Sequence, residues 1–364
     1  MDSEEVQENL KFGDYVLVNG NRNGSEAWKK FSCVNEKETL KPEGAAKFNT
    51  LRIIMAKEFQ APGKDVVQKI WQEFGLNEQR VKESVEALKK WLAMEPHLPE
   101  ESGSLHEARL ERWLIRCKNS MERTKQSIDL YYTLRSLSPD MMCDWNPRSK
   151  WYQDAVKTLC CFPMPELTPE GDRVVMIKYL TKDANNYQYE DVIRLGLMTT
   201  EVRMSEDYCF TDIFILDMEN YTLAHACNVK FTSAKKCEVC LMKAFSCRLK
   251  ALHIINAPSC AEVFIAIMKA VFSSKLTSRI YVHGKDLTNF RKQVPRMCLP
   301  DDLGGTGGSL QENWNMWLKK VDSYRDWFLQ HDNFKSDESK RQGGNFDSDD
   351  LFGFEGSFRR LSVD

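Results

Sequence analysis

Three groups of residues in this chain have types and spacings that chemistry uses. The first is Cys237 and Cys240, a C-x-x-C pair. Such a pair exchanges disulfides when it opens a helix, because the helix dipole lowers the thiol pKa, and it holds zinc when a second ligand pair answers it. Here Ser233, Ala234, Lys235 and Lys236 come first, so the pair falls inside a helix. Cys237, Cys240, Leu241, Ala244 and Cys247 recur at core spacing, and no second pair with metal spacing follows. The cysteines read as core packing, with no metal. The second group is Asp217, Glu219, His253 and His283. The two carboxylates follow an apolar run as an acid/base pair would, but no nucleophile accompanies them, and they read as loop solvation or capping. A lone histidine inside or at the end of an apolar strand is usually a hydrogen-bonded structural residue. The chain has neither a G-x-S-x-G elbow nor a G-x-x-x-x-G-K-[ST] loop. The glycine-rich residues 304–309 lack G-x-G-x-x-G spacing and read as a turn. No catalytic constellation and no cofactor site emerges.

The third group is Arg248, Lys250, Lys275 and Arg279. Arg248 and Lys250 alternate with Leu249 and so point to one side of an extended segment. Between the two pairs lies the stretch 260–272, apolar on nearly every side, with charge only at Glu262 and Lys269. A helix of that kind is buried, spans a membrane or touches one. It is too short to span, which needs about 20 apolar residues. Apolar surface flanked by cations suits an anionic membrane surface.

Several elements must position these groups. Residues 251–255 read as a buried strand, broken at Asn256-Ala257-Pro258 because Pro258 has no N–H and biases Ala257 away from helix. Residues 174–180, 213–216 and 279–282 read as further strands, and 190–204, 233–247 and 260–272 as helices between them. Strands alternating with helices of this length indicate an α/β fold with a largely parallel sheet. Upstream, Val81, Val85, Leu88 and Leu92, then Leu110, Trp113, Leu114 and Cys117, form helical stripes. Asn119 and Glu122 have capping-box spacing before another helix. Short loops between these helices imply an antiparallel bundle. One more helix is expected over residues 314–328, with Asn313 as its cap.

The expected organisation is a poorly ordered arm (1–60), a helical subdomain (61–138), a proline-rich linker (139–170), the α/β domain (171–331) and a polar tail (332–364) in which Phe352, Phe354 and Phe358 can dock back and Arg359-Arg360-Leu361-Ser362 offers a kinase site. A net charge of −2 without a long basic run argues against bulk nucleic-acid binding. The acidic N-terminus lacks signal-peptide pattern, no run approaches a transmembrane span, and the 12 cysteines read as reduced thiols. These features point to a cytoplasmic protein with transient peripheral membrane association.

Several motifs in order resemble one family. HIINAPS (253–259), FSSKLTSRIYVHG (272–284), LPDDLGG (299–305), DLYYTLRS (129–136), LTPEGDRVV (167–175) and FILDMENYTLAH (214–225) look like the core of the CRAL-TRIO lipid-binding domain, and WLIRCKNSMERTK (113–125) like its helical subdomain. The branch resembled is that of alpha-tocopherol transfer protein-like and cellular retinaldehyde-binding protein-like members, insect ones in particular. The resemblance implies a helical bundle followed by a mixed sheet enclosing an apolar pocket, a mobile gate helix at 260–272, and non-catalytic carriage of a tocopherol, retinoid or carotenoid. It implies ligand contacts from Gly196, Leu197, Thr199, Thr200, Leu216, Leu252, Ile254, Phe264 and Met268, and a phosphoinositide headgroup on Arg248, Lys250, Lys275 and Arg279. Thr199, Thr200 or Tyr208 would orient the ligand. Ile115 stands where the family carries an arginine, with Arg116 and Lys118 as neighbouring substitutes. The alternative reading is a regulatory lipid-sensing scaffold that docks protein partners through its arm and tail.

Overall fold

The structure, a computed structural model, describes Phe59, residues 61–342 and residues 351–352. The expectations for the arm, for Phe354 and Phe358 and for Ser362 lie outside the described residues.

Helices come first: α1 (Lys64–Glu73), α2 (Glu78–Leu92), α3 (Ser104–Arg116) and α4 (Met121–Leu137). The stripe Val81, Val85, Leu88 and Leu92 is buried, and the Asn77 side chain caps α2 by accepting from the Arg80 N–H at 2.9 Å. Asn119 is not a cap. Its φ of +58° turns the chain between α3 and α4, Ser120 holds the cap position, and the Asn119 amide donates to the Phe74 carbonyl.

The expected linker carries structure. It holds α5 (Pro139–Met142), α6 (Lys150–Thr158), whose cap is Ser149, and strand β1 (Leu159–Leu167). Pro163 and Pro165 argue against a strand in the sequence, but β1 is an edge strand, where a missing N–H is tolerated, and its pairing slips between Pro163 and Leu167.

The sheet continues with β2 (Arg173–Tyr179), helix α7 (Tyr189–Glu206), β3 (Asp212–Asp217), α8 (Leu223–Cys227), α9 (Phe231–Glu238), β4 (Leu249–Ile255), α10 (Ala261–Val271), α11 (Ser274–Thr277) and β5 (Ile280–Val282). Spatial order is β1-β2-β3-β4-β5, with β1 antiparallel and the other pairs parallel. Right-handed crossovers that advance in one direction put α7, α9 and α10 on the same side of the sheet. Register makes Cys161, Ile177, Leu216, Ile254 and Val282 one row across the strands, and Pro163, Val175, Phe214, Leu252 and Ile280 a second row on the same face. Thr199 of α7 donates to the Cys161 carbonyl at 3.1 Å and also acts on the Cys161 thiol, which places α7 on this face. Residual exposure concentrates there: Ile177, Phe214 and Ile280 are half-buried, whereas Val174, Met176 and Ile215 on the opposite face are fully buried.

After α9 the helix does not run on to Cys247 as expected. Residues Val239–Ala244 are a π-helix whose carbonyl end is held from outside: the Trp113 indole donates to the Ala244 carbonyl at 2.8 Å and Arg116 to that of Phe245 at 3.1 Å. Beyond β5 come α12 (Thr288–Gln293), α13 (Leu310–Ser323) and α14 (Arg325–His331). The single helix expected over 314–328 is thus two, divided at Tyr324, and the cap of α13 is Ser309, which accepts from the Glu312 N–H at 3.2 Å. Asn313 is buried and donates to the Gly307 carbonyl instead. The glycine turn is a packing device. Gly304 has φ +80°, and a Cβ at Gly305 would lie 1.9 Å from the Leu299 oxygen.

The bundle and the α/β part share buried charges. Arg109 of α3, fully buried, lies 3.0 Å from both Glu101 and Glu201 of α7. Arg173 and Arg203 flank Asp207 at 2.8 and 2.9 Å. The described tail folds back: Arg341 pairs with Asp129 at 2.7 Å, and Phe352 is buried beside Lys236.

Candidate functional site

The site is built around α10. Asn256, with φ +52°, turns the chain out of β4, and its amide donates to Asp217 at 2.9 Å. The helix packs on α8 and α9. Ala261, Phe264 and Val271 are buried, Met268 is half-buried, and Val263 is 54% exposed. Leu223 on α8 and Phe231 on α9 are also exposed, so these three packed helices present apolar side chains outward.

The expected pocket residues fall into two sets. Leu216, Leu252 and Ile254 share the sheet face that carries α7, and Phe264 and Met268 share a face of α10. On α7, Leu197 is fully buried, and a Cβ added at Gly196 would meet no atom within 4 Å, so there is space beside that turn. The hydroxyls expected to orient a ligand are otherwise engaged. Thr199, besides donating to Cys161, accepts from the Trp317 indole at 3.2 Å. Thr200 donates to the Gly196 carbonyl at 2.9 Å. Tyr208 donates to Glu111 at 2.9 Å and accepts from the Trp71 indole, tying α1 to α3.

Three of the four cations meet at the start of β4. The Arg279 guanidinium donates to the Leu249 carbonyl, between Arg248 and Lys250. Lys250 is exposed and pairs with Asp172, which also accepts from Thr211. Arg248 lies over the Phe74 ring at 5.0 Å, its Nη1 is buried without a partner among the described residues, and burial pulls its pKa down. Lys275, on α11, is exposed and, among the described residues, pairs with no carboxylate. An open recess of about 590 Å³ lies beside it, lined by Lys269, Phe272, Ser274, Thr277, Ser278 and Ile280. Arg116 does not join this group; it is buried and donates to Phe245 and to the Cys247 sulfur.

The CRAL/TRIO domain matches residues 157–305, and a Pinta-like UBA domain matches residues 77–152. An alpha-tocopherol transfer protein-like protein of Homo sapiens is 30% identical over 237 residues, covering 64% of this chain and 68% of its own. The Mus musculus protein of the same name is 31% identical over 238 residues, with the same shares. The chain belongs to the CRAL/TRIO domain family. Clavesin-1 of Xenopus laevis is 24% identical over 138 residues, 37% of this chain and 42% of its own. A crystal structure of Sfh5 gives a TM-score of 0.45 at 12% identity, covering 65% of this chain and 92% of that one. Membership places the chain among non-catalytic lipid-transport proteins, and the α/β fold with N-terminal helices and a mixed sheet is the family's. The helical match runs past residue 138, through α5 and into α6, where the linker was expected.

Other groups singled out in the sequence have structural partners in this CRAL/TRIO chain. Burial raises the Cys237 thiol to about 12 and pushes Cys240 up as well, so neither is a ready thiolate. Among the described residues no cluster of His, Cys, Asp and Glu has metal-binding geometry, and no helix is long and apolar enough to cross a membrane. Lys178 bridges Asp217 at 2.9 Å and Glu219 at 2.7 Å. His253 and His283 meet at 3.0 Å. Tyr221 and His225, in the motif FILDMENYTLAH, were not among the expected site residues; Tyr221 packs against Phe264 of α10. Their signal was the T-x-x-H at 222–225, a capping box with histidine in the acceptor position.

Proposed function

We propose that this protein binds one hydrophobic small molecule of the tocopherol, retinoid or carotenoid type between α10 and the sheet, and exchanges it at phosphoinositide-containing membranes. The observation that carries the reading is an apolar helix, α10, on the same side of the sheet as the apolar face bearing Leu216, Leu252 and Ile254. Gly196, Leu197, Phe264 and Met268 complete the lining in this reading, with Thr199 and Thr200 as wall residues whose hydroxyls are internally bonded. Affinity comes from apolar burial, at roughly 25 cal/mol per Å² removed from water. The relatives named alpha-tocopherol transfer protein-like favour the tocopherol class.

Exchange requires α10 to move. The turn at Asn256 and Pro258 precedes it and Ser273 follows it, so both ends are short connections that can act as hinges. The outward Leu223, Phe231 and Val263 enter the lipid interface, while Arg248, Lys250, Lys275 and Arg279 hold the phosphoinositide headgroup. Headgroup binding beside α10 then favours its open position and release of the cargo. Mass spectrometry of lipid extracted from the purified protein tests the reading. One apolar species near stoichiometric amount is expected. Lipid-free protein that also fails to bind any apolar probe would overturn it.

A further inference from the structure

Tyr221 and His225 are almost wholly removed from solvent, with exposures of 3% and 0%. Among the described residues each carries a polar atom without a partner: the Tyr221 hydroxyl and His225 Nε2. Buried polar atoms are nearly always paired, so two in contacting rings require an explanation. The rings stack at 5.6 Å between centroids. Tyr221 lies 6.2 Å from Phe264 of α10, and Tyr179 and Tyr187 complete the cage around His225 at 5.2 and 4.7 Å. The Tyr179 and Tyr187 hydroxyls meet each other at 3.4 Å.

The imidazole tautomer is determined by its neighbours. The backbone N–H of Thr222 donates to His225 Nδ1 at 3.2 Å, and the Thr222 hydroxyl lies 2.8 Å from the same atom. A backbone N–H can only donate, so Nδ1 accepts, and the neutral ring carries its hydrogen on Nε2. Burial favours that neutral ring. The unpartnered Nε2–H is therefore a donor, held in orientation by a helix cap. The Tyr221 hydroxyl beside it can donate or accept.

We propose that Tyr221 and His225 are a polar anchor for a single neutral oxygen at one end of the carried molecule. The inference rests on the carrier reading above and narrows its cargo. An alcohol or phenol takes a hydrogen bond from His225 and gives one to Tyr221; an aldehyde takes one from each. A hydrocarbon leaves both protein atoms unpaired. A carboxylate would add a second negative charge beside a ring on which the Asp183 carboxylate already acts. The anchor thus selects terminal alcohols, phenols and aldehydes over hydrocarbons and acids of the same skeleton.

The test uses the full chain and matched probes: retinol, retinoic acid and anhydroretinol, then α-tocopherol and its deoxy analogue, each titrated by tryptophan quenching. In the skeleton that binds, the oxygenated neutral form should bind about tenfold tighter than its oxygen-free partner, the size of one or two net hydrogen bonds. Tyr221→Phe should remove most of that preference, leave the oxygen-free probe unchanged and raise the melting temperature of the unliganded protein, because it deletes a buried hydroxyl without a partner. Tyr187→Phe, a loss of a partnered hydroxyl in the same cage, should keep the preference. Equal binding within a pair, as when a fixed water satisfies both atoms, overturns the anchor and leaves the carrier reading standing. A Tyr221→Phe protein with a lowered melting temperature and intact preference also overturns it. Failure of every probe to bind overturns the carrier reading and the anchor together.

Discussion

The Arg279 guanidinium donates to the carbonyl of Leu249, the residue that separates Arg248 from Lys250. Arg279, thirty residues beyond Leu249 in the sequence, is thereby brought to the Arg248–Lys250 end of β4. Lys250 is neutralised in part by Asp172, and Arg248 and Arg279 are half-buried, so Lys275 is the cation of the four most open to an incoming phosphate. Arginine grips phosphate bidentately, while lysine acts as a point charge. Lys275→Ala with Arg279→Ala should weaken binding to phosphoinositide vesicles by roughly 2 kcal/mol, at about 1 kcal/mol per cation near the surface. Wild-type binding should fall with added salt. Transfer to acceptor vesicles should slow while ligand affinity stays nearly unchanged. Wild-type transfer rates in the double variant would remove these cations from the mechanism.

The pocket prediction targets Leu252 and Met268, one from the sheet face and one from α10. Arginine at either position places a charge where the cargo's apolar body should lie. Binding of fluorescent retinoid or tocopherol analogues should drop at least about tenfold in Leu252→Arg or Met268→Arg, since an unpaired charge is costly to bury. Circular dichroism must show the variants folded. Wild-type affinity in a folded variant would place the cargo elsewhere.

Much of this architecture was legible because hydrophobic periodicity reports burial directly. The α2 stripe, the strands β2 to β4 and α10 all appear within two residues of where the pattern places them. What was illegible depends on partners far away in the chain. Pro163 and Pro165 look like strand breakers until β1 proves to be an edge. The π-helix is held by Trp113 and Arg116, which precede it by well over a hundred residues. The resemblance implies Thr199 as a ligand contact, and nothing local shows that its hydroxyl is engaged by Trp317 and the Cys161 carbonyl. Tyr221 and His225 were unremarked for the reverse reason: an absent partner leaves no trace in sequence.

Arg109 tests how the bundle is joined to the α/β part. It is fully buried between Glu101 and Glu201, with its guanidinium 5.1 Å from the Trp113 and Tyr131 ring centres. Removing one partner strands the others' charge, which costs about 3–5 kcal/mol at buried sites. Arg109→Ala should lose stability on that scale in urea unfolding. Replacing Arg109, Glu101 and Glu201 together by apolar residues of similar volume should recover a large part of it. A loss below about 1 kcal/mol in Arg109→Ala would show that the cluster relaxes or takes up water.

Acid stability follows from the buried histidines. His253 has Nδ1 3.0 Å from His283 Nε2, and its ring packs against Tyr281 and Phe290. Burial, with the neighbouring His283 second, lowers its pKa to about 4. Burial also lowers His225, His283 and His331. In the unfolded chain a histidine titrates near 6.5. Between about pH 6.5 and 4 the unfolded chain therefore binds a proton at His253 that the folded chain refuses. The contribution of His253 to stability is complete above about pH 6.5 and is lost progressively as pH falls toward 4. The slope approaches ~1.4 kcal/mol per pH unit for each such histidine. Urea unfolding at pH 5, 6, 7 and 8 should show stability falling toward acid. His253→Leu keeps an apolar side chain against Phe290 and has no proton to gain, so it should flatten the slope by nearly one proton and be relatively more stable at pH 5 than at pH 8. An unchanged slope in His253→Leu would mean that His253 accepts its proton as readily in the folded chain as in the unfolded one, and that the acid loss belongs to the other histidines.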